Sequence, residues 1–174
     1  MSNITVIKGD ITAAEVDAIV NAANPMMLGG GGVDAAIHRA AGKKLLQACE
    51  DVAMIDGVRC PTGEARITEA GDLKANYVIH TVGPRYAIDS NPESLLYAAY
   101  ENSLDLAMKH HCESIAFPAI SCGVYGYPLD KAARIAIDVC MLDKYKNIKI
   151  IFYLFNDAAF DIWNDLIDMQ KQSG

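Results

Sequence analysis

The sequence lacks the features that mark several large classes of protein. No Cys-X-X-Cys pair is present and the number of cysteines is odd, so neither a disulfide framework nor a zinc site is indicated. No apolar run approaches the length of a membrane span, and the first residues, "MSNITVIKGD", contain no basic segment followed by an apolar stretch. We therefore expect a cytoplasmic protein that holds no metal and contacts no membrane. The cysteines are Cys49, Cys60, Cys112, Cys122 and Cys140.

Positive charge is also scarce. Lysine and arginine number 15 against 22 aspartates and glutamates, which gives a formal net charge of −7. Because proteins bind nucleic-acid backbones mainly by neutralising phosphates with basic side chains, this composition disfavours nucleic acid as a partner. The 174 residues are 52% hydrophobic and contain no internal repeat or linker. We therefore predict one domain over residues 1–174.

Short β-rich runs alternate with longer helical patterns along the chain. Helices are predicted after Asn91 and Asn156, which fit N-caps, and from Pro128, which fits a first helical position. In the last helix, Phe160 and Trp163 fall on one face and are interpreted as core residues. Six runs are predicted as strands: 4–9, 18–23, 65–68, 77–82, 114–119 and 148–155.

The alternation of these elements predicts the fold class. Several strands are too apolar for a face in water, and parallel neighbours require crossover helices, so we expect a three-layer α/β/α domain with a mixed, mostly parallel sheet. In such folds, ligands bind beyond the carboxyl ends of the strands. That rule selects the loops after 18–23 and after 114–119, and the end of 148–155.

Four consecutive glycines interrupt the stretch "NAANPMMLGGGGVDAAIH" at positions 21–38. They lack the Gly-Lys-Ser/Thr ending of an ATP-binding loop, and Asp34 stands where a dinucleotide-binding fingerprint requires a third glycine. The glycines nevertheless precede a predicted helix, whose exposed N–H groups and dipole suit an anion. A flexible turn without a ligand is the alternative.

A second loop, "PAISCGVYGYP" at 118–128, has the same design: it follows a buried strand, contains two glycines and leads into a helix. Neither loop offers a basic side chain, because no lysine or arginine occurs between Gly9 and His38 or from Pro118 to Asp130. Backbone amides would therefore hold a bound phosphate. This arrangement suits a small diphosphate better than a polyanion.

Several side chains have more than one interpretation. Asp10 fits a turn cap after the first strand, and Phe155 is favoured as a core residue on sequence alone. Cys122, in a glycine-rich loop before a helix, is a less favoured candidate nucleophile, and His80 is the histidine that the fold could bring near it. We expect His80 instead to satisfy a buried hydrogen bond, and His38 to support the glycine loop.

Six segments taken together resemble a macrodomain of the MacroD type and are most similar to bacterial O-acetyl-ADP-ribose deacetylases. The resemblance runs from about Ile4 to about Met169. It implies a three-layer α/β/α macrodomain with an ADP-ribose pocket and no cofactor. The segments are "GDIT" (9–12), "VNAAN" (20–24), "GGGGVDAAIHRAAG" (29–42), "TGEARIT" (62–68), "HTVGP" (80–84) and "SCGVYGYP" (121–128).

The resemblance also implies roles along this pocket. Asp10 would accept a hydrogen bond from the adenine amino group, Phe155 would stack on the adenine, and Tyr125 would pack against the distal ribose. Cys122 replaces the usual threonine or serine, which puts one hydroxyl contact to phosphate in doubt. The implied ligand-binding residues are Asp10, Ile11, Asn24, Gly31, Gly32, Val33, Asp34, Ser121, Cys122, Gly123, Val124, Tyr125 and Phe155.

Two residues, Asn24 and Asp34, would decide between binding and reaction. Family members that hydrolyse carry asparagine and aspartate at these positions, whereas many that only bind lack one or both. Asn24 would fix the hydroxyls of the distal ribose. Asp34, kept ionised by the helix dipole, would take a proton from water or stabilise positive charge that develops at the anomeric carbon. Simple helix capping is the alternative for Asp34.

Three functions follow as hypotheses. The first is hydrolysis of ADP-ribosyl esters by a water that Asp34 and the substrate diphosphate position. Its substrates would be O-acetyl-ADP-ribose and proteins mono-ADP-ribosylated on acidic side chains. The second is a reader that binds ADP-ribose in the same pocket without turnover. The third is an interaction protein that contacts RNA or a nuclease, which the acidic composition disfavours.

Overall fold

The computed structural model describes residues 3–173, and within them all six predicted strands are present. They are β1 (Ile4–Lys8), β2 (Ala18–Ala22), β3 (Ala65–Glu69), β4 (Tyr77–Thr81), β5 (Ser114–Phe117) and β6 (Lys149–Leu154). Each strand begins and ends within a few residues of its predicted run. The apolar β-branched runs therefore located the sheet correctly.

The six strands form one mixed sheet in the order β1-β6-β5-β2-β4-β3. Every neighbouring pair is parallel except β3 and β4, which are antiparallel. The predicted mixed, mostly parallel sheet is confirmed. Since five neighbouring strands, β1, β6, β5, β2 and β4, run in one direction, their carboxyl ends lie along one edge of the sheet.

Five helices connect and cover the strands: α1 (Gly32–Ala41), α2 (Lys43–Glu50), α3 (Pro92–Lys109), α4 (Leu129–Cys140) and α5 (Asp157–Ser173). Asn156 caps α5 as predicted, because its Oδ1 accepts from the N–H of Ala159 at 2.9 Å. Asn91 holds the N-cap position of α3, but its side chain makes no capping hydrogen bond. Pro128 is the N-cap of α4 rather than its first helical residue.

Two apolar layers enclose the sheet, as a three-layer α/β/α domain requires. The larger one buries residues of α3, α4 and α5 against the strands, including Trp163 with Phe160 packed beside it, which confirms their interpretation as core. The smaller one buries Ile37 of α1 and Leu45 of α2. None of the helices within residues 3–173 combines the length and the apolar character of a membrane span.

Candidate active site

The predicted site residues gather at the carboxyl edge of the parallel strands. Asp10 follows β1, Phe155 follows β6, the loop 118–127 follows β5, and Asn24 follows β2. Because these strands are neighbours in the order β1-β6-β5-β2, the four features are arranged in that order along the edge. The sequence places them far apart, and the parallel pairing of the strands brings them into one row.

Asp10 lies at the β1 end of the row. Its Oδ1 accepts from the backbone N–H of Thr12 at 2.9 Å and from Thr12 Oγ1 at 2.8 Å, so the turn-capping interpretation applies. Both hydrogen bonds use the same carboxylate oxygen, and the side chain is exposed. The second oxygen can therefore accept from a ligand. Ile11, beside it, is buried at 4% exposure.

Phe155 projects into solvent beside Asp10. It is 82% exposed, so its interpretation as a core residue was wrong. The strand ends one residue earlier, at Leu154, which is buried in the sheet. Since a pattern of apolar residues does not reveal where a strand ends, the sequence alone could not separate the last core residue from the first exposed one. An exposed phenyl ring at this edge offers a flat surface for a base.

The glycine stretch leaves the N-terminal end of α1 open. Gly31 is the N-cap and has no side chain to cap the helix, and Gly32 adopts a left-handed φ of +60°. A Cβ atom added at either position would meet nothing within 4 Å. Val33 packs against the smaller core and anchors the first turn. Backbone N–H groups at this end of α1 are therefore accessible to an anion.

The loop after β5 provides a second set of amides. The N–H of Cys122 already donates to the carbonyl of Ala119 at 3.3 Å, whereas within residues 3–173 the N–H groups of Gly123, Val124 and Tyr125 have no partner. Val124 is fully exposed, and a Cβ at Gly123 would meet open space. The amides that face solvent thus begin at Gly123, one residue after Cys122.

A tight contact fixes the base of this loop. Ser121 adopts a positive φ of 67° and is buried at 6% exposure. Gly83, which follows β4, lies so close that an added Cβ would overlap Ser121 Oγ and come within 2.6 Å of Ile120 Cγ2. The N–H of Tyr127 donates to the Ser121 carbonyl at 2.9 Å. The conformation of the loop therefore depends on a glycine at position 83.

Asn24 and Asp34 approach one another across the glycine stretch. A Cβ at Gly30 would lie 3.2 Å from Asn24 Nδ2 and 3.1 Å from Asp34 Oδ2. Asn24 itself organises the loop, accepting from the N–H groups of Met26 and Met27 at 3.2 and 3.1 Å and donating to the Gly29 carbonyl at 3.0 Å. Only one amide hydrogen of Asn24 is left for a ligand. The sequence-based prediction had assigned both a donor and an acceptor of this side chain to the ligand.

Asp34 is held in a polar pocket beneath the loop. The residue is 3% exposed, and its Oδ1 accepts from Asn21 Nδ2 at 2.8 Å. His38 Nε2 lies 3.4 Å from the same oxygen, outside hydrogen-bonding geometry. Burial raises the pKa of Asp34, while the hydrogen bond from Asn21 and the charge of His38 lower it. The sequence-based argument from the helix dipole thus missed desolvation, which is the largest influence.

Sequence reasoning missed Asn21, which directly orients Asp34. Asn21 is fully buried in β2 and lies opposite His80 of β4 in the sheet register. His80 is fully buried too, and its ring nitrogens contact Asn21 Nδ2 at 3.3 Å and Thr68 Oγ1 at 3.0 Å. The prediction that His80 satisfies a buried hydrogen bond is confirmed. The signal for Asn21 was its place in the "VNAAN" segment, three residues before Asn24.

Cys122 has the environment of an unreactive thiol. Burial raises its pKa to about 12, so the nucleophilic thiolate is scarce at neutral pH. Its Sγ lies 3.5 Å from the carbonyl oxygen of Ile120, and the sulfur beside His80 is that of Cys49, 3.7 Å from Nε2. The nucleophile interpretation of Cys122 therefore lacks both an activated thiol and a base.

A small pocket lies beside the turn that contains Asn24. Its volume is about 190 Å³, and it is bounded by the residue after Asn24, by the segment after β4 and by the loop after β5. The guanidinium of Arg85 stands at this pocket and donates to Asp89 Oδ1 at 2.8 Å. Sequence reasoning did not select this pair. The lining residues are Pro25, Thr62, Val82, Gly83, Arg85, Asp89 and Tyr125.

Taken together, the elements define a class of protein: an α/β domain with a candidate ligand site along the carboxyl edge of its sheet. This candidate site consists of open backbone amides and ends at a buried carboxylate. Among residues 3–173, no three His, Cys, Asp or Glu side chains are grouped as metal ligands.

Comparison with known proteins specifies this class further. The chain belongs to the Macro domain family, whose model matches residues 20–136, and the resemblance noted in the sequence is confirmed. A Macro domain-containing protein of Vibrio parahaemolyticus is 58% identical over 163 residues, which cover 94% of this chain and 96% of the relative. An O-acetyl-ADP-ribose deacetylase of Citrobacter rodentium is 59% identical over 173 residues, covering 97% of both chains.

Solved structures agree with the sequence comparison. A mutant macrodomain of Oceanobacillus iheyensis, solved with ADPR, superimposes with a TM-score of 0.90 at 39% sequence identity. The match covers 96% of this chain and 92% of the Oceanobacillus chain. The predicted α/β/α macrodomain fold is therefore confirmed.

Proposed function

We propose that the protein hydrolyses ADP-ribosyl esters. The observation that carries this proposal is the order of features along the sheet edge: an exposed aromatic ring and a carboxylate at one end, open backbone amides in the middle, and a buried carboxylate at the other. ADP-ribose has the same order of parts, namely a base, a diphosphate and a distal sugar. The Oceanobacillus relative solved with ADPR supports the choice of ligand.

Binding would begin at the adenine end. Phe155 would stack on the adenine, and the free oxygen of Asp10 would accept from its amino group, with Ile11 beside it. The diphosphate would then lie between the amides of Gly123 to Tyr125 and those at the start of α1, near Gly31 and Gly32. Ser121 and Cys122 would keep their side chains beneath the loop and support the open amides that begin at Gly123.

The distal ribose would reach the end of the site that holds Asn24, Asp34 and Tyr125. The remaining amide hydrogen of Asn24 would donate to a ribose hydroxyl, and Tyr125 would pack against the ring. Asp34 Oδ2 makes no hydrogen bond to the described residues and lies next to the backbone of Gly30. That oxygen is the one available to a water molecule.

Hydrolysis would proceed in one addition and one elimination. Asp34 takes a proton from water as the water oxygen adds to the ester carbonyl carbon. The bond from that carbon to the ribose oxygen then breaks, and the ribose oxygen recovers the proton. The products are ADP-ribose and a carboxylic acid, so no redox partner, metal or cofactor is required by these steps.

Two ester substrates fit this chemistry. The first is O-acetyl-ADP-ribose, a choice that the name of the Citrobacter relative supports. The second is ADP-ribose linked to aspartate or glutamate side chains of proteins, which makes mono-ADP-ribosylated proteins partners. We assign the pocket of about 190 Å³ beside Asn24 to the acyl group that is released as a carboxylic acid.

We also propose that the protein acts in a reducing cytoplasm, because its five cysteines are free thiols.

A reader without turnover is the second candidate function. Two observations favour it. Burial raises the pKa of Asp34, which lowers the fraction of ionised carboxylate at a given pH. Asn24 already makes three side-chain hydrogen bonds within its own loop. A reader needs the adenine and diphosphate contacts but not an ionised Asp34.

Direct comparison of substrates tests the proposal. Purified protein is offered O-acetyl-ADP-ribose and a glutamate-ADP-ribosylated protein side by side, and product formation is followed by mass spectrometry. We expect ADP-ribose to be released from both. Tight binding of ADP-ribose with no release from either substrate would establish the reader instead.

A further inference from the structure

Behind the carboxylate of Asp34 lies a buried chain of hydrogen bonds. Asn21 Nδ2 is 2.8 Å from Asp34 Oδ1 and 3.3 Å from His80 Nδ1. His80 Nε2 is 3.0 Å from Thr68 Oγ1, which in turn donates to the carbonyl oxygen of Glu69 at 3.0 Å. Asn21 and His80 are fully buried, and Thr68 is 8% exposed. The chain therefore runs from the reacting end of the site into the sheet.

The strand register sets up this chain. Asn21 of β2 is the direct partner of His80 of β4, and Arg66 of β3 is the partner of His80 on the other side. Thr68 is two positions from Arg66 along β3, so it shares the face of the sheet that carries His80. Three neighbouring strands thus contribute one side chain each.

The donor and the acceptor of each hydrogen bond in this chain can be assigned by starting at the Glu69 carbonyl, which can only accept. The hydroxyl hydrogen of Thr68 is committed to the Glu69 carbonyl, so Thr68 Oγ1 accepts from His80 Nε2–H. A neutral His80 protonated on Nε2 has an acceptor at Nδ1. The amide nitrogen of Asn21 then donates to that acceptor with one hydrogen and to Asp34 with the other.

The opposite orientation of Asn21 would require a protonated Asp34. With the amide turned over, the Asn21 oxygen would face Asp34 Oδ1, and this contact is attractive only if Asp34 carries a proton. The flipped amide would also require His80 to donate from Nδ1. Thr68 would then have to donate its hydroxyl hydrogen to His80 Nε2 instead of to the Glu69 carbonyl. The observed chain therefore favours ionised Asp34, against the effect of burial.

We propose that His80 and Thr68 are positioning residues that act through Asn21 and hold Asp34 in its ionised, proton-accepting state. The kinetic consequence rests on the proposed function, because it assumes that Asp34 is the base in hydrolysis. The consequence for the titration of Asp34 itself rests only on the hydrogen bonds.

Other ionisable groups face the chain from neighbouring elements. His38 of α1 is 3.4 Å from Asp34 Oδ1, and Cys49 of α2 is 3.7 Å from His80 Nε2. The Cys60 thiol lies 3.9 Å from the His80 carbonyl oxygen. Burial raises the pKa of both thiols to about 11, so they stay neutral under assay conditions. His38 remains in every variant below, which makes its contribution common to all of them.

The variants Thr68→Val and Thr68→Ser form a matched pair. Valine has the shape of threonine and suits a strand, but it cannot accept from His80, whereas serine retains the hydroxyl. For O-acetyl-ADP-ribose at pH 6, we expect kcat of Thr68→Val to fall at least about fivefold, with a change of less than about twofold at pH 9. KM and the Kd for ADP-ribose should stay within about threefold, and Thr68→Ser should follow the parent protein throughout.

The titration of Asp34 is measured separately by ¹³C NMR of its carboxyl carbon, assigned with Asp34→Asn. We expect the midpoint to move to higher pH in Thr68→Val and in His80→Phe, and to stay in place in Thr68→Ser. The Thr68 pair carries the test if His80→Phe does not fold. A moved midpoint in a protein without hydrolase activity would support the hydrogen-bond chain and refute only the proposed function. A midpoint unchanged in folded Thr68→Val would overturn the inference, whatever the rates.

Discussion

At the scale of single residues, Asp34 combines two opposing influences. Its burial raises its pKa, and the hydrogen bond from Asn21 with the nearby His38 lowers it. If the ionised carboxylate accepts the proton of the attacking water, hydrolysis is lost as pH falls through a pKa that is higher than that of an ordinary aspartate. The site therefore depends on the polar contacts that offset the desolvation of Asp34.

His80 should make the stability of the protein sensitive to acid. Burial lowers its pKa to about 3, whereas the unfolded chain takes up a proton near pH 6.5. The contribution of neutral His80 is thus complete above pH 6.5 and is lost as pH falls, by about 2 kcal/mol at pH 5. We expect the free energy of unfolding, measured in urea at pH 7 and pH 5, to fall by about that much more in the parent protein than in His80→Phe. Equal losses in both proteins would argue against a neutral His80 in the fold.

At the scale of elements, the site consists of loops whose shape is fixed by close packing beneath them. The loop after β5 packs closely against Gly83, and the loop after β2 is fixed by hydrogen bonds from the side chain of Asn24. In both loops, the surface proposed to face the ligand is exposed, while the opposite surface is fixed by packing or hydrogen bonds within the protein. Amides that are fixed in advance bind an anion with little ordering of the chain.

Gly83→Ala should therefore destabilise the fold. The new methyl group would overlap Ser121 Oγ and crowd Ile120, which is a change of the kind that costs about 1–3 kcal/mol. Gly31→Ala is the matched control, since its Cβ would enter open space. Chemical denaturation checks both variants. Similar stabilities for the two would show that the loop can move away from Gly83 at no cost.

Gly123→Glu should abolish binding of ADP-ribose. The side chain would enter the space above the loop amides, and its charge would repel a diphosphate. Gly123→Gln has nearly the same size without the charge, so the difference between them isolates electrostatics from steric exclusion. Isothermal titration calorimetry measures the Kd, and circular dichroism checks the fold. Binding by Gly123→Glu at the parent affinity would place the diphosphate elsewhere.

At the scale of the whole molecule, the groups proposed to bind the adenine and those proposed to react lie toward opposite ends of one sheet edge. The proposed adenine end is formed after β1 and β6, and the proposed reacting end after β2 and at the start of α1. Neighbouring parallel strands are about 4.8 Å apart, so β6 and β2, with β5 between them, are about 10 Å apart. Substitutions at the two ends should consequently affect different kinetic constants.

Phe155→Ala tests that separation. Loss of the ring should weaken ADP-ribose binding by about 1–3 kcal/mol and raise KM, with kcat nearly unchanged, because no reacting group is touched. The free energy of unfolding should hardly change, since Phe155 is 82% exposed. Met169→Ala, another exposed apolar residue at 57%, is the control for surface truncation. A large loss of stability with unchanged affinity would return Phe155 to a structural role.

Much of the fold could be predicted from the sequence because local patterns specify it. The β-branched runs located all six strands, and the need for crossovers predicted a mostly parallel sheet. The loops at the carboxyl edge followed from the same reasoning, and the macrodomain resemblance supplied the ligand.

The surroundings of Asp34 could not be predicted in this way. Its contact with Asn21 spans 13 residues, and the contact from Asn21 to His80 spans 59, so both depend on strand order and register rather than on a local pattern. Desolvation of Asp34 likewise depends on which elements cover it. The exposure of Phe155 depended on where β6 ends, which apolar periodicity leaves undetermined.

The most direct test of the central claim is the hydrolysis of O-acetyl-ADP-ribose by Asp34→Ala, measured beside its affinity for ADP-ribose. We predict that Kd stays within about tenfold of the parent value, or about 1.4 kcal/mol, while kcat falls at least about a hundredfold. Asp34→Asn, which keeps an acceptor for Asn21, should lose kcat to the same extent and so exclude misfolding as the cause. Turnover at the parent rate in either folded variant would contradict the assignment of Asp34 as the base.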